Sequence, residues 1–109
     1  MAKTYDQLMA EARQEVKELS VHEVNNLLTK NSHHLLLDVR EKDEYREGHL
    51  DKAVSLPRGF LEIKIEATVP DKSTPVIAYC AGGVRSLLAG KILKEMGYND
   101  VVSMSGGYA

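Results

Sequence analysis

The sequence predicts an α/β fold, in which a parallel sheet carries helices on both faces. Two apolar runs, residues 35–39 and 75–79, are typical of strands that are buried on both sides. Amphipathic helical patterns lie before, between and after these runs. Because buried strands that alternate with helices pack as a parallel sheet between two helical layers, the α/β class follows.

Length and composition indicate one globular domain. The chain has 109 residues, of which 43% are hydrophobic and 28% are charged, which is typical of a soluble domain and argues against disorder. A net charge of -2 provides no bulk attraction for nucleic acid or acidic lipid. No apolar run has the length of a membrane span, and the N-terminus lacks a signal-peptide core. We expect a cytoplasmic protein that binds neither nucleic acid nor membranes.

The single cysteine, Cys80, limits the chemistry that the chain can perform. One cysteine cannot form an internal disulfide, which favours a reducing compartment. A zinc site needs about four ligands, and the histidines are scattered. They are His22, His33, His34 and His49. We therefore expect no metal and no cofactor.

Two helices are predicted at the N-terminal end of the chain. Apolar residues recur at helical spacing over residues 5–18. These residues are Tyr5, Leu8, Met9, Ala12 and Val16. Ser20 followed by Glu23 forms a capping-box pattern, which predicts a second helix over residues 21–30. A turn is expected at residues 31–33.

Asp38 and Arg40 stand at the carboxyl end of the predicted strand over residues 35–39. In open α/β sheets, binding sites lie at this edge. The two residues could act directly near such a site, or they could form an ion pair that ties down the following loop. The sequence leaves both interpretations open.

The middle of the chain is predicted to contain short elements. Residues 41–47 are rich in charge and predict a short helix that ends at Gly48. His49 is interpreted as a hydrogen-bonded structural residue more readily than as a catalytic base. A short strand is expected over residues 53–56. Residues 60–67 are helical or irregular.

The last third of the chain repeats the strand and helix pattern. A buried strand over residues 75–79 leads through a short loop to a helix over residues 84–96. Gly97 stands where a helix C-terminus is expected. Residues 101–104 predict the last strand, and residues 105–108 form a flexible loop after it.

The loop between the strand and the helix carries the candidate chemistry. Residues 79–86 read Tyr-Cys-Ala-Gly-Gly-Val-Arg-Ser. Adjacent glycines let backbone N–H groups turn inward, and a helix N-terminus adds a favourable field for an anion. Cys80 should then have a lowered pKa, to which Arg85 would contribute.

This setting of Cys80 predicts a reactive thiolate nucleophile. The alternative is a small buried hydrophobic residue. The loop lacks the Gly-Lys-Ser/Thr ending of a nucleotide-binding P-loop.

Three stretches together resemble the single-domain rhodaneses, the family of thiosulfate sulfurtransferases. The first stretch is Leu37-Asp38-Val39-Arg40-Glu41, followed by Glu44-Tyr45, Gly48-His49-Leu50 and Ala53. Residues 79–86 resemble the active-site loop, and Ser105-Gly106-Gly107 resembles the glycine pair near the end of the family's domain. The resemblance covers residues 20–109 and leaves residues 1–19 as an N-terminal helical extension. It implies a rhodanese-like α/β fold with about five strands in a mostly parallel sheet.

The resemblance also implies a function and a set of site residues. Cys80 matches the catalytic cysteine, which carries a persulfide sulfur from a small anionic donor such as thiosulfate to a thiol, cyanide or protein acceptor. No cofactor is implied beyond this covalent persulfide. In the family, a loop surrounds this sulfur. The residues that match it here are Ala81, Gly82, Gly83, Val84, Arg85 and Ser86. Asp38 and Arg40 match a supporting structural pair, and Gly106 and Gly107 match a loop beside the site.

The chain departs from the family pattern at two places. Asp51-Lys52 replaces the more usual proline-glycine turn. The chain stops at Ala109, where relatives usually continue with a tryptophan and a closing helix, which suggests truncation at the C-terminal end. The added N-terminal helix would suit docking onto a partner enzyme.

Two alternatives to sulfur transfer remain. One is a cysteine-dependent phosphatase or arsenate reductase, because related folds use a similar loop. Phosphatase loops place five residues between cysteine and arginine, whereas four separate Cys80 from Arg85, which favours sulfur. The other is a non-catalytic module that uses the rhodanese fold for protein contact. Inactive relatives usually lose the cysteine, so the presence of Cys80 argues against it.

Overall fold

A computed structural model describes residues 2–30 and 33–108, and it has the predicted α/β architecture. Its strands are β1 (Lys17–Leu19), β2 (Leu35–Asp38), β3 (Val54–Ser55), β4 (Val76–Tyr79) and β5 (Val101–Met104). They form one sheet in the order β1-β5-β4-β2-β3, and every pairing is parallel. Of the turn predicted at residues 31–33, residues 31 and 32 lie outside the described part of the chain.

The helices agree with the predicted pattern in most places. They are α1 (Tyr5–Glu15), α2 (Val21–Lys30), α3 (Lys42–Glu47), α4 (Leu61–Thr68) and α5 (Val84–Glu95), with a short 3-10 helix at Arg58–Phe60. The predicted capping box is present, because the Glu23 amide donates to Ser20 Oγ at 3.1 Å and the Ser20 amide donates to Glu23 Oε1 at 2.9 Å. The segment predicted as helical or irregular is helical.

The N-terminal helix is shorter than the sequence predicts. It ends at Glu15 rather than at residue 18, and after Val16 the chain forms β1 (Lys17–Leu19), which the sequence analysis missed. Lys17 and Glu18 are exposed and only Leu19 is buried, so this edge strand has no apolar run of its own. Its pairing with β5 determines the conformation, which overrides the helical pattern.

The sheet separates two apolar cores. Leu37 and Leu36 are adjacent on β2 and point to opposite faces, as strand geometry requires. The core that contains Leu37 is covered by α4 and α5, and the core that contains Leu36 is covered by α2 and α3. Helix α1 packs on α5 through Met9, Ala12, Val16 and Leu87.

This arrangement brings several loops to one edge of the sheet. Because all five strands are parallel, the loops that follow β2, β4 and β5 emerge together at their carboxyl ends. None of the helices within the described residues is both long and apolar enough to cross a membrane.

Candidate active site

The site is built around the short connection between β4 and α5. Cys80 directly follows β4 and is completely buried, and α5 begins at Val84. Gly83 adopts a left-handed conformation, with φ of 95°, that side chains with a Cβ rarely adopt. This turn at Gly83 brings the first amides of α5 back over the cysteine.

Backbone amides and one hydroxyl surround the sulfur. The Gly83 amide donates to Cys80 Sγ at 3.1 Å, and the Ser86 amide donates to it at 3.4 Å. The Cys80 thiol lies 3.5 Å from Ser86 Oγ, to which it donates. Amides in the first turn of a helix have no partner within the helix, so they are available to the sulfur. We call Gly82, Gly83 and Ser86 the sulfur cradle.

The sulfur cradle favours the ionised form of Cys80. Burial raises the pKa of the Cys80 thiol. Hydrogen bonds from the Ser86 hydroxyl, the Ser86 amide and the amides of Gly83 and Gly82 lower it and outweigh burial, so the pKa lies below its ordinary value. A buried sulfur at this position is therefore stabilised as an anion.

A second buried serine lies behind the sulfur cradle. Ser103 is on β5 and is completely buried, and its Oγ lies 2.7 Å from Ser86 Oγ. The Ser86 hydroxyl also lies 3.2 Å from the Gly83 carbonyl, to which it donates. Sequence reasoning missed Ser103, and its only signal was a hydroxyl inside a short apolar strand.

Arg85 is not a free anion-binding group, because it is paired with Glu44. The Arg85 guanidinium contacts both carboxylate oxygens of Glu44, at 2.7 and 3.2 Å. This pairing, followed by the Glu41 amide, lowers the pKa of Glu44 to about 2. The Glu44 hydrogen bond is also the main cause of the raised pKa of Arg85, and the Cys80 thiolate comes after it. The predicted contribution of Arg85 to the lowered pKa of Cys80 is thus smaller than that of the sulfur cradle.

Asp38 and Arg40 form a buried ion pair. Arg40 Nη2 lies 2.7 Å from Asp38 Oδ2 and also donates to the Gly48 carbonyl at 2.8 Å. The pair ties the end of β2 to the loop after α3. Of the two interpretations left open by the sequence, the geometry favours the structural one.

The loop after β5 packs against the cysteine loop. The Tyr108 amide donates to the Cys80 carbonyl at 2.8 Å, and the Tyr108 ring lies 4.3 Å from the Arg40 guanidinium carbon. A Cβ atom at Gly107 would collide with the carbonyls of Ala81 and Cys80, whereas one at Gly106 would meet open space. The two predicted glycines therefore lie beside the loop, and only Gly107 is required by its close approach. Tyr108 was not predicted.

An open cavity of about 340 Å³ borders the same loop. It is lined by Arg40, Glu44, Glu47, Gly48, Ala81 and Tyr108. We call its charged side chains together with Arg85, that is Arg40, Glu44, Glu47 and Arg85, the charged rim. Both arginines of the charged rim already have a carboxylate partner.

His49, which follows α3, packs against Tyr45. The His49 ring stacks on Tyr45 with 3.7 Å between centroids, and its Nδ1 lies 2.8 Å from the Tyr45 carbonyl oxygen. Within residues 2–30 and 33–108, no three His, Cys, Asp or Glu side chains are grouped so that they could hold a metal ion.

Curated proteins with two different names match this chain. It is 37% identical over 70 residues to "Thiosulfate sulfurtransferase PspE" of Escherichia coli (strain K12), covering 64% of this chain and 67% of that protein. It is 36% identical over 95 residues to "tRNA uridine(34) hydroxylase" of Protochlamydia amoebophila (strain UWE25), covering 82% of this chain and 30% of that protein. The chain therefore spans about a third of the length of the hydroxylase.

Solved structures share the fold. A Rhodopseudomonas palustris protein of unknown function, described as a possible tyrosine phosphatase, matches with a TM-score of 0.89 at 25% identity, covering 100% of this chain and 89% of that one. The human single-domain sulfurtransferase TSTD1 matches with a TM-score of 0.74 at 24% identity, covering 85% of this chain and 92% of that one, which shows a common fold. The family model of the rhodanese-like domain matches residues 20–109. The chain belongs to the family of rhodanese-like domains.

Proposed function

We propose that the protein is a sulfurtransferase that moves a sulfane sulfur from thiosulfate or another donor to a thiophilic acceptor through a persulfide on Cys80. The observation that carries the proposal is the sulfur cradle, which places two amides within 3.4 Å of Cys80 Sγ. The lowered pKa of the Cys80 thiol raises the fraction of thiolate at a given pH, which supports a nucleophilic role. The relative named as a thiosulfate sulfurtransferase supports the same chemistry.

The first half of the reaction loads the cysteine. The Cys80 thiolate attacks the outer sulfur of thiosulfate, a new S–S bond forms, and the bond to the inner sulfur breaks. Sulfite leaves with the electron pair of that bond, and Cys80 becomes a persulfide anion. The amides of the sulfur cradle stabilise negative charge on sulfur, as an oxyanion hole stabilises oxygen.

The second half of the reaction transfers the outer sulfur from the Cys80 persulfide to an acceptor. A nucleophilic acceptor attacks the terminal sulfur, and the Cys80 thiolate leaves with its electrons. The chain has one cysteine, so a thiol, cyanide or protein acceptor must come from another molecule. The cycle starts and ends with a thiolate, so it needs no general base, and the persulfide is the only cofactor-like group in the proposal.

Phosphatase chemistry is the first competing function, because one structural relative is described as a possible tyrosine phosphatase. Two features of this site disfavour it. Four residues separate Cys80 from Arg85, so the loop has fewer amides for a tetrahedral oxyanion. Arg85 is also held by Glu44 rather than being free for a phosphate. We expect no hydrolysis of an aryl phosphate.

A non-catalytic interaction module is the second competing function. Such a module would have no use for a thiol with a lowered pKa. We therefore expect Cys80 to be alkylated faster than a free model thiol at about pH 7. An equal or slower rate would favour the interaction module.

The direct test is the mass of the intact protein after incubation with thiosulfate, without reductant. We expect the wild type to gain one sulfur atom and Cys80→Ser to gain none. If the folded wild type gains none from thiosulfate, a protein or small-molecule persulfide is tried as donor. Failure with both classes of donor would contradict sulfur transfer.

A further inference from the structure

Ser86 and Ser103 form a pair of buried hydroxyls, of which Ser86 belongs to the sulfur cradle and Ser103 has no role in the reaction outlined above. Both residues are completely buried, and their Oγ atoms lie 2.7 Å apart. They come from different elements, since Ser86 is on the first turn of α5 and Ser103 is on β5. A buried pair at this distance is a hydrogen bond whose direction depends on the other partners of each hydroxyl.

Counting protons shows what each state of Cys80 requires. In the thiol form, Cys80 donates to Ser86 Oγ, and the single proton of the Ser86 hydroxyl is available for the Gly83 carbonyl or for Ser103. When the thiol loses its proton to solvent, Sγ no longer donates to Ser86 Oγ and can accept from the Ser86 hydroxyl as well as from the two amides. The Ser86 hydroxyl then turns its proton toward Sγ and leaves its own oxygen without a donor.

We propose that Ser103 is a positioning residue, which donates to Ser86 Oγ and thereby directs the Ser86 proton to the anionic sulfur of Cys80. In this arrangement the chain of donors runs from Ser103 to Ser86 to Cys80, and each hydroxyl donates once. Hydrogen bonds in such a chain polarise one another, so the second hydroxyl strengthens the first. The Ser86 hydroxyl is among the hydrogen bonds that lower the pKa of Cys80, which agrees with the last step of this chain, from Ser86 to the sulfur.

The proposal rests on the thiolate of the proposed function, but its test does not involve sulfur transfer. The measurement is the rate of alkylation of Cys80 by iodoacetamide as a function of pH. In Ser103→Ala we expect the rate at about pH 6 to fall about three- to five-fold, as the loss of one hydrogen bond predicts. The rate at high pH, where the thiol is fully ionised, should stay unchanged.

A double-mutant cycle separates this role from general packing. If Ser103 acts through Ser86, Ser103→Ala should cause no further change in a Ser86→Ala background. Ser55→Ala is a matched control, because Ser55 Oγ is buried on β3 without a hydrogen-bond partner among the described residues. It should leave the pH profile unchanged.

The charged and titratable groups around the cysteine stay constant in these variants. They are Asp38 at the end of β2, Arg40 after β2, Glu44 on α3, Tyr79 on β4, Arg85 on α5 and Tyr108 after β5. A shift of the profile in Ser103→Ala therefore reports on the hydroxyl. Ser103→Thr, which keeps a hydroxyl, should retain the wild-type profile.

Four results would overturn the proposal. They are an unchanged profile in Ser103→Ala, a profile displaced to lower pH, an equal displacement in the Ser86→Ala background, and a Ser103→Thr profile that matches that of Ser103→Ala. A lower pKa would mean that Ser103 accepts the Ser86 proton and competes with the sulfur. None of these results bears on whether the protein gains mass from thiosulfate.

Discussion

The sulfur cradle and the charged rim lie next to each other and contribute to the site in different ways. The sulfur cradle contains no charged side chain, and its amides and hydroxyl contact Cys80 Sγ directly. The charged rim contains two arginines, each of which is already paired with a carboxylate. Its ion pairs join α3 to α5 and the end of β2 to the loop at Gly48.

This difference shows how a site can favour an anion without a free cation. Fixed dipoles stabilise charge only at close range, so the sulfur cradle acts on the atom that it touches. A free arginine would attract anions from a distance and would depend on salt. We infer that the charged rim mainly holds the loops in place, while the sulfur cradle determines the pKa of Cys80.

The largest effect should come from displacing the cysteine loop as a whole. In Gly107→Ala the new Cβ collides with the carbonyls of Ala81 and Cys80, and the residue is also held at φ of 65°. We expect a loss of about 3 kcal/mol in the free energy of unfolding, measured by urea denaturation.

Gly106→Ala is the matched control for this change. Its φ is 81°, but the new Cβ meets open space, so only the backbone conformation costs energy. We expect a loss of about 1–2 kcal/mol. Equal losses in the two variants would contradict the view that the two loops are in close contact at Gly107.

The next effect should come from removing the side-chain donor of the sulfur cradle. Ser86→Ala keeps both amides but takes away the hydroxyl, so the pKa of Cys80 should rise. We expect alkylation by iodoacetamide at about pH 6 to slow about ten-fold, because hydrogen bonds to charged groups are stronger than neutral ones. An unchanged rate would show that the amides alone determine the pKa.

A smaller effect should come from freeing the charge of Arg85. Glu44→Gln removes the carboxylate but keeps an oxygen that can accept the Glu41 amide. If thiosulfate is a donor, the unpaired Arg85 charge should attract this anion. We expect kcat/KM to rise about five-fold at low ionic strength, which is the size of the attraction between two nearby charges in water. The rise should disappear as salt is added.

Glu47→Gln is the control for this prediction. It removes one negative charge from the same cavity without freeing Arg85. We expect it to change kcat/KM less than Glu44→Gln does. A larger gain in Glu47→Gln would show that the overall charge of the cavity, rather than the Arg85–Glu44 pair, controls entry of the anion.

The sequence predicted the parts of this structure that are local. Helix α2 was predicted with its correct bounds, since its cap and its apolar face lie within ten residues of chain. Cys80 and its loop were also identifiable, because the strand, the glycines and the helix are consecutive. Strand β1 was missed, because its conformation depends on pairing with β5 across the domain.

The same reason explains which site residues were missed. Glu44 is 41 residues from Arg85 along the chain, and Ser103 is 17 residues from Ser86. Glu44 stood in a stretch that resembles the family, but nothing local marked it as the partner of Arg85, and Ser103 is a common residue in a strand. Only the order of the parallel strands brings these pairs together, because it places the loops after β2, β4 and β5 at one edge of the sheet.

The most direct test of the account is a pH titration of the Cys80 thiolate by its ultraviolet absorbance, in the wild type and in Arg85→Gln. We predict a pKa below the value of about 8.5 for free cysteine in both proteins, because the sulfur cradle is intact in both. The substitution should raise the pKa less than Ser86→Ala does. An ordinary pKa in the wild type, or a return to the ordinary value in Arg85→Gln, would contradict the account.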